Sequence, residues 1–155
     1  MSNRFVLALM LGALLSVPGV AQEKGGDREK KVKMQDLPAA VQAAVKEQSK
    51  GATLVGLAQE EENGRTLYEA EMKVNGHGRD VLMDATGKVG SVEEEVALAS
   101  IPAAAREALL KAVGKGKMLK VESVTADGVT VYEALIRAAG KTAEVKVDAK
   151  GGAAN

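Results

Sequence analysis

The hydrophobic positions of this chain follow two periods, and the two periods alternate in the same order twice. Leu37, Val41, Ala44, Val45 and Gln48 recur at the spacing of one helix face, and only the last is polar. Ile101, Ala105, Ala108, Leu109 and Ala112 repeat that stripe further on. After each helical stretch the pattern switches to strict alternation. Tyr68, Ala70, Met72 and Val74 share one side of an extended segment, with Glu69, Glu71 and Lys73 on the other. Tyr132, Ala134, Ile136 and Ala138 do the same against Glu133 and Arg137. Such alternation predicts an antiparallel strand with one buried face. Strands are expected over 53–61, 66–74 and 79–83, and again over 118–125, 130–138 and 143–147. A fourth strand over 88–96 is expected to cross from the first half to the second.

Punctuation agrees with the periods. Asn63-Gly64 and Asp127-Gly128 are hairpin signals, because both residues of each pair tolerate positive φ. Asn75-Gly76 and Ala139-Gly140 mark the next turns, and Asp84-Ala85-Thr86-Gly87 and Asp148-Ala149-Lys150-Gly151 the turns after those. Asp36 and Ser100 are expected to cap the helices, with Pro38 and Pro102 in the first turns. Gly51 ends the first helix and Gly114 or Gly116 the second.

These signals recur at one spacing of 64 residues, without a gap from Leu37 to Lys88. Pro38 maps to Pro102, Gly64 to Gly128, Tyr68-Glu69-Ala70 to Tyr132-Glu133-Ala134, Val81 to Val145 and Gly87 to Gly151. One period of this kind means one supersecondary unit used twice. The expected fold is therefore α+β: two tandem αβββ(β) repeats, each a helix packed on an antiparallel meander sheet, docked together. A lone unit of about 60 residues buries too little to be secure, so the two are expected to pack on each other. The organisation reads as a signal peptide over 1–21, a flexible leader over 22–33, repeats over 34–96 and 97–152, and a frayed tail over 153–155.

The amino-terminal reading rests on Arg4, the apolar run from Phe5 to Val17, and small residues at Gly19 and Ala21. That is the layout of a cleavable secretory signal, cut after Ala21, and the run is too short for comfortable membrane spanning. The expected location is periplasmic or secreted, with no stable membrane insertion after cleavage. Removing Arg4 leaves one more acidic than basic residue in a chain that otherwise balances 21 against 21. A near-neutral chain whose only remaining aromatics are Tyr68 and Tyr132 is poorly suited to nucleic acid. With no cysteine there is no disulfide, thiolate metal site or thiol catalysis.

The leucine-proline helix start, the Gly-x-x-x-Tyr-Glu-Ala strand and the Val-x-x-Asp-x-x-Gly strand end resemble PepSY-like domains, also described as β-lactamase-inhibitor-like. Gly64, Tyr68-Glu69-Ala70, Val81, Asp84 and Gly87 carry the resemblance in the first copy. Gly128, Tyr132-Glu133-Ala134, Val145, Asp148 and Gly151 carry it in the second. The resemblance implies a small non-enzymatic extracytoplasmic module that binds, inhibits or regulates another protein such as a peptidase. It brings no catalytic residues.

Single residues offer little chemistry. His77 is expected at an exposed hairpin tip, and Asp84 and Asp148 are expected to hold their own turns. Tyr68 and Tyr132 belong to the core face. Glu60-Glu61-Glu62 and Glu93-Glu94-Glu95 read as solvated edge charge, since neither has the spacing of a calcium loop. Gly114-Lys115-Gly116-Lys117 reads as a helix end with favourable lysines. No catalytic, cofactor or metal residue is assigned. The candidate partner-binding face is the outward side of the strands: Leu67, Glu69, Glu71 and Lys73, their counterparts Val131, Glu133, Leu135 and Arg137, and Leu82. Those apolar residues serve equally well to seal one repeat against the other. The expected function is an exported binding module for an extracytoplasmic protein or peptide, and the alternative is a periplasmic sensor of a small ligand or divalent cation.

Overall fold

The computed structural model describes residues 30–62 and 64–154, so the signal segment, most of the leader, Asn63 and Asn155 lie outside the described residues. Two helices, α1 (Ala39–Gln48) and α2 (Ala103–Val113), accompany eight strands: β1 (Lys30–Lys31), β2 (Thr53–Glu62), β3 (Arg65–Val74), β4 (His77–Asp84), β5 (Val89–Glu95), β6 (Lys117–Ala126), β7 (Val129–Ala138) and β8 (Lys141–Val147). Their order across the single sheet is their order in the chain, and every neighbouring pair is antiparallel. The molecule is thus an α+β fold with one eight-stranded meander.

The repeat is visible in the ladder. Tyr68 opposes Met83 in the first copy and Tyr132 opposes Val147 in the second. Bulges interrupt β2 between Leu54 and Gly56, and β6 between Met118 and Lys120, at positions 64 apart. The copies are joined by β5, which pairs with β4 on one side and with β6 on the other. The repeats therefore meet edge to edge, by hydrogen bonding, rather than by sealing their outward sheet faces together. This corrects the reading in which Leu67, Leu82 and Leu135 close that contact.

Both helices lie on the same sheet face. Leu37, Val41 and Val45 bury against Ala70, Met72, Val81 and Met83. Ile101, Ala105 and Leu109 bury against Val121, Ala134, Ile136 and Val147. Tyr68 and Tyr132 pack at the margins of these two clusters. The stripes hold with one exception. Gln48 accepts a bond from Arg79 Nη2 at 3.4 Å, whereas its counterpart Ala112 is exposed and Val113 packs inward instead.

Gly87 and Gly151 explain why each repeat closes on its helix. Both sit at positive φ, +78° and +81°, and an added Cβ would lie 2.6 Å from the Ala40 carbonyl oxygen or 2.7 Å from that of Ala104. Only glycine permits that turn and that approach together.

Three further expectations are corrected. Asp36 and Ser100 do not cap the helices: each ends a short 3-10 turn, Met34–Asp36 or Leu98–Ser100, and the helix N-caps are Pro38 and Pro102, with no side-chain cap bond. Proline has already fixed φ there and removed one unsatisfied N–H, so a polar cap has less to supply. Lys30 and Lys31, placed in the leader, form β1 against Gln59 and Ala58. The tail is not frayed: Ala153 bridges Val147, and Ala154 N donates to Lys146 O at 3.2 Å. Ala153 stands where Val89 stands in the first copy, opposite Met83.

A candidate binding face

The side of the sheet away from the helices is built by simple alternation. Because side chains opposite each other in an antiparallel ladder share a face, the register sorts them. One row across the sheet reads Gly56, Glu71, Asp80, Glu93, Val124, Val131. A second reads Ala58, Glu69, Leu82, Ser91, Ala126, Val129. A third reads Glu95, Glu122, Glu133, Lys146, and beside it lie Lys120, Leu135 and Glu144. Glu60 opposes Leu67, and Lys73 opposes Gly78. All nine residues expected on the outward face are brought together here.

Several of these polar groups are enclosed by their neighbours. Glu60, Glu71, Glu122 and Glu133 are between 3% and 9% exposed, while Val124 and Ala58 are 2% and 1% exposed. This corrects the reading of the two acidic runs as solvated edge charge at Glu60 and Glu93, whereas Glu61, Glu94 and Glu95 are exposed as expected. Glu60 is buried, and Glu93 stands on β5, an interior strand, because the seam between the repeats removes the edge that the sequence suggested.

Charge on this face is unbalanced. Among the described side chains, ten carboxylates (Glu60, Glu69, Glu71, Asp80, Asp84, Glu93, Glu95, Glu122, Glu133, Glu144) share it with seven cations (Lys31, Arg65, Lys73, Lys117, Lys120, Arg137, Lys146). Lys120 Nζ lies 2.7 Å from Glu122 Oε1, and Lys146 Nζ lies 3.3 Å from Glu133 Oε2. Gly78 N donates to Glu95 Oε2 at 3.2 Å. Burial pushes the Glu93 carboxyl up to about 8, helped by the charges of Glu122, Glu133 and Asp80 and opposed by Lys146. Burial also pushes Glu133 up to about 7: Lys146 opposes the rise, and Glu144 and Glu122 add to it. Burial works to lower Lys120, but its bond and attraction to Glu122, with Asp80 and Glu93 behind, carry it above its ordinary value. Burial and like-charged neighbours thus favour the protonated forms of Glu93 and Glu133.

The other singled-out residues fall elsewhere. His77 is exposed at the start of β4. Asp84 Oδ1 accepts from Thr86 N at 2.8 Å and Lys88 N at 3.2 Å, and Asp148 Oδ1 from Lys150 N and Gly152 N, both at 2.8 Å. These aspartates hold their turns. The last helix ends at Gly114, φ +53°, with Lys111 in its final turn. Among the described residues, no group of three histidine, aspartate or glutamate side chains is placed to hold a metal ion, and no helix is long and apolar enough to cross a membrane. The sequence reading missed Lys120, Glu122, Glu144 and Lys146. The signal was present: they are the 64-residue counterparts of Gly56, Ala58, Asp80 and Leu82.

The architecture has solved counterparts, among them three Bacteroides proteins. A candidate periplasmic protein of Bacteroides eggerthii DSM 20697 superimposes with a TM-score of 0.64 at 18% identity, covering 77% of this chain and 86% of its own. A DUF2874 family protein of Bacteroides ovatus ATCC 8483 gives 0.60 at 16% identity, over 77% and 85%. A BLIP-like protein of Bacteroides fragilis NCTC 9343 gives 0.58 at 20% identity, over 77% and 84%. The chain therefore has the BLIP-like fold. At the level of sequence, the family described as peptidase propeptide and YPEB domain (PepSY) matches residues 102–154, which is the second repeat. No curated protein matches the chain significantly.

Proposed function

We propose that this chain is an exported, non-catalytic PepSY-like module that binds, and thereby inhibits or regulates, another extracytoplasmic protein such as a peptidase. The observation that carries this reading is the helix-free sheet face, on which Leu67, Leu82, Val131 and Leu135 are interleaved with charged side chains. A mixture of half-buried apolar and charged groups on one sheet face suits protein recognition, in which apolar anchors are ringed by polar contacts. The PepSY match over the second repeat and the BLIP-like fold support the same reading.

The test is capture from native extracytoplasmic extract with tagged residues 22–155 as bait, compared with the Glu69→Lys/Glu133→Lys variant. A stoichiometric partner that the wild type retains and the folded variant loses is the expected result. Equal retention by both would remove the face from the proposal, and a bait that returns alone would remove the partner.

A further inference from the structure

Each edge of the sheet carries part of a seam that the molecule already contains in full. We infer that copies of this chain join head to tail, the β8 edge of one receiving the β1 edge of the next, so that the junction repeats the internal β4–β5–β6 seam. This is independent of the proposed function, which uses the helix-free face rather than the edges.

The 64-residue register is kept at both edges. In the internal seam Glu94 opposes Ser123, Glu95 opposes Glu122, and Val96 N donates to Val121 O at 3.0 Å. At the amino-terminal edge Lys30 opposes Gln59, Lys31 opposes Ala58, and Val32 N donates to Leu57 O at 3.0 Å. Every residue of the second set is the 64-residue counterpart of one in the first, so β1 sits on β2 as β5 sits on β6. The other half of the seam begins at the opposite edge. Asp84 N donates to Lys88 O and Met83 opposes Val89; likewise Asp148 N donates to Gly152 O and Val147 opposes Ala153. In the first copy β5 then runs on along β4 to the Arg79–Glu94 pair. Among the described residues, pairing on the outer side of β8 stops at Ala154, whose N donates to Lys146 O. The rest of β8 has no β5-like strand, and β1 of a second copy is such a strand with one side already paired.

The backbone groups agree in direction. Along an antiparallel strand they point alternately to one neighbour and to the other. Lys146 O and Asp148 N point away from β7, so Thr142 and Glu144 direct their N–H and C=O groups to the same outer side. Val32 N points to β2, so Lys31 directs its own groups to the outer side of β1. In the register of the internal seam, Lys31 falls opposite Thr142 and diagonal to Glu144. Lys31 lies beside Ala58 and Glu144 beside Leu135, so both side chains stand on the helix-free side and opposite charges meet across the junction. Unpaired strand edges are templates for a further strand.

The junction is shorter than a standard interface, which buries about 1,200 Å² or more, so sedimentation equilibrium of residues 22–155 is run from about 10 µM to about 1 mM. The expected result is a mean mass that rises with concentration and passes that of a dimer, because a head-to-tail contact leaves one edge of each kind open. Amide exchange at Thr142 and Glu144 should slow over the same range. Glu144→Pro removes an N–H that faces away from β7, where an edge strand tolerates proline, and should weaken self-association about tenfold or more with the circular dichroism unchanged. Lys31→Glu should weaken it as well, and Lys31→Glu combined with Glu144→Lys should restore it. A single-chain mass at the highest concentration, a mass that stops at a dimer, undiminished association of the folded Glu144→Pro variant, or a charge swap that does not recover would overturn the inference.

Discussion

Replacing Gly87 or Gly151 by alanine isolates the contact that closes each repeat. In both positions the added Cβ meets helix backbone: 2.6 Å from Ala40 O and 3.3 Å from Ala44 Cβ at Gly87, and 2.7 Å from Ala104 O and 3.3 Å from Ala108 Cβ at Gly151. Two costs are expected. Holding an alanine at φ near +80° costs about 1–2 kcal/mol. Forcing helix and turn apart against a packed interface adds about 1–3 kcal/mol, since the atom in the way is a backbone carbonyl and not a mobile side-chain end. Gly76 and Gly140 supply the controls. They have φ of +87° and +77°, but nothing lies within 4 Å of an added Cβ. Gly76→Ala and Gly140→Ala therefore incur the first cost alone. Equilibrium urea unfolding followed by circular dichroism should rank the four variants in two pairs, with Gly87→Ala and Gly151→Ala lower by about 1–3 kcal/mol. Four equal losses would refute the reasoning, because positive φ would then account for everything and the helix contact for nothing.

Three other outcomes are expected. Glu93 and Glu133 have folded values of about 8 and about 7, above the ordinary glutamate value of 4.5, so between pH 5 and 8 the folded state holds protons that the unfolded chain has released. Stability should therefore fall as pH rises through that window, by about 1–3 kcal/mol from pH 6 to 8, and Glu93→Gln should flatten the trend; urea midpoints at several pH values measure both. Ala139 stands at φ +49° where the first copy has Asn75 at +51°, so Ala139→Asn should raise stability by about 0.5–1 kcal/mol, read as a shift in thermal midpoint. Leu109 is fully buried beneath α2, and Leu109→Ala should cost about 2–5 kcal/mol in the same unfolding assay.

The strands, helices and turns were legible because local signals agreed with one another and then agreed again 64 residues later. Asp127-Gly128 at φ +50° and +78° is the turn that the dipeptide implies. Alternation along β3 and β7 likewise puts Glu69 and Glu133 on the outward face from the sequence pattern alone. What stayed hidden depended on which strands are neighbours. Glu93 reads as edge charge until β6 is known to pair with β5, and then it becomes an enclosed carboxylate with Asp80 on one side and Val124 on the other. Ala153 likewise has no local signal as a strand residue, for its partner Val147 lies across a turn held by the Asp148 carboxylate. Periodicity reports what one strand does with its own faces, whereas enclosure and proton affinity come from strands it has yet to meet.

Because the two copies lie side by side in one sheet, their equivalent residues form a ruler. Glu69 on β3 and Glu133 on β7 are four strand steps apart across the sheet, roughly 19 Å, and four residues apart along it, roughly 13 Å, at the usual strand dimensions. The ruler's two marks are not identical: Glu71 and Lys73 flank one, Leu135 and Arg137 the other. A partner gripping both marks must present two unlike features at that separation, in a fixed order, and so can lie across the sheet in only one direction. Duplication has here produced polarity rather than symmetry.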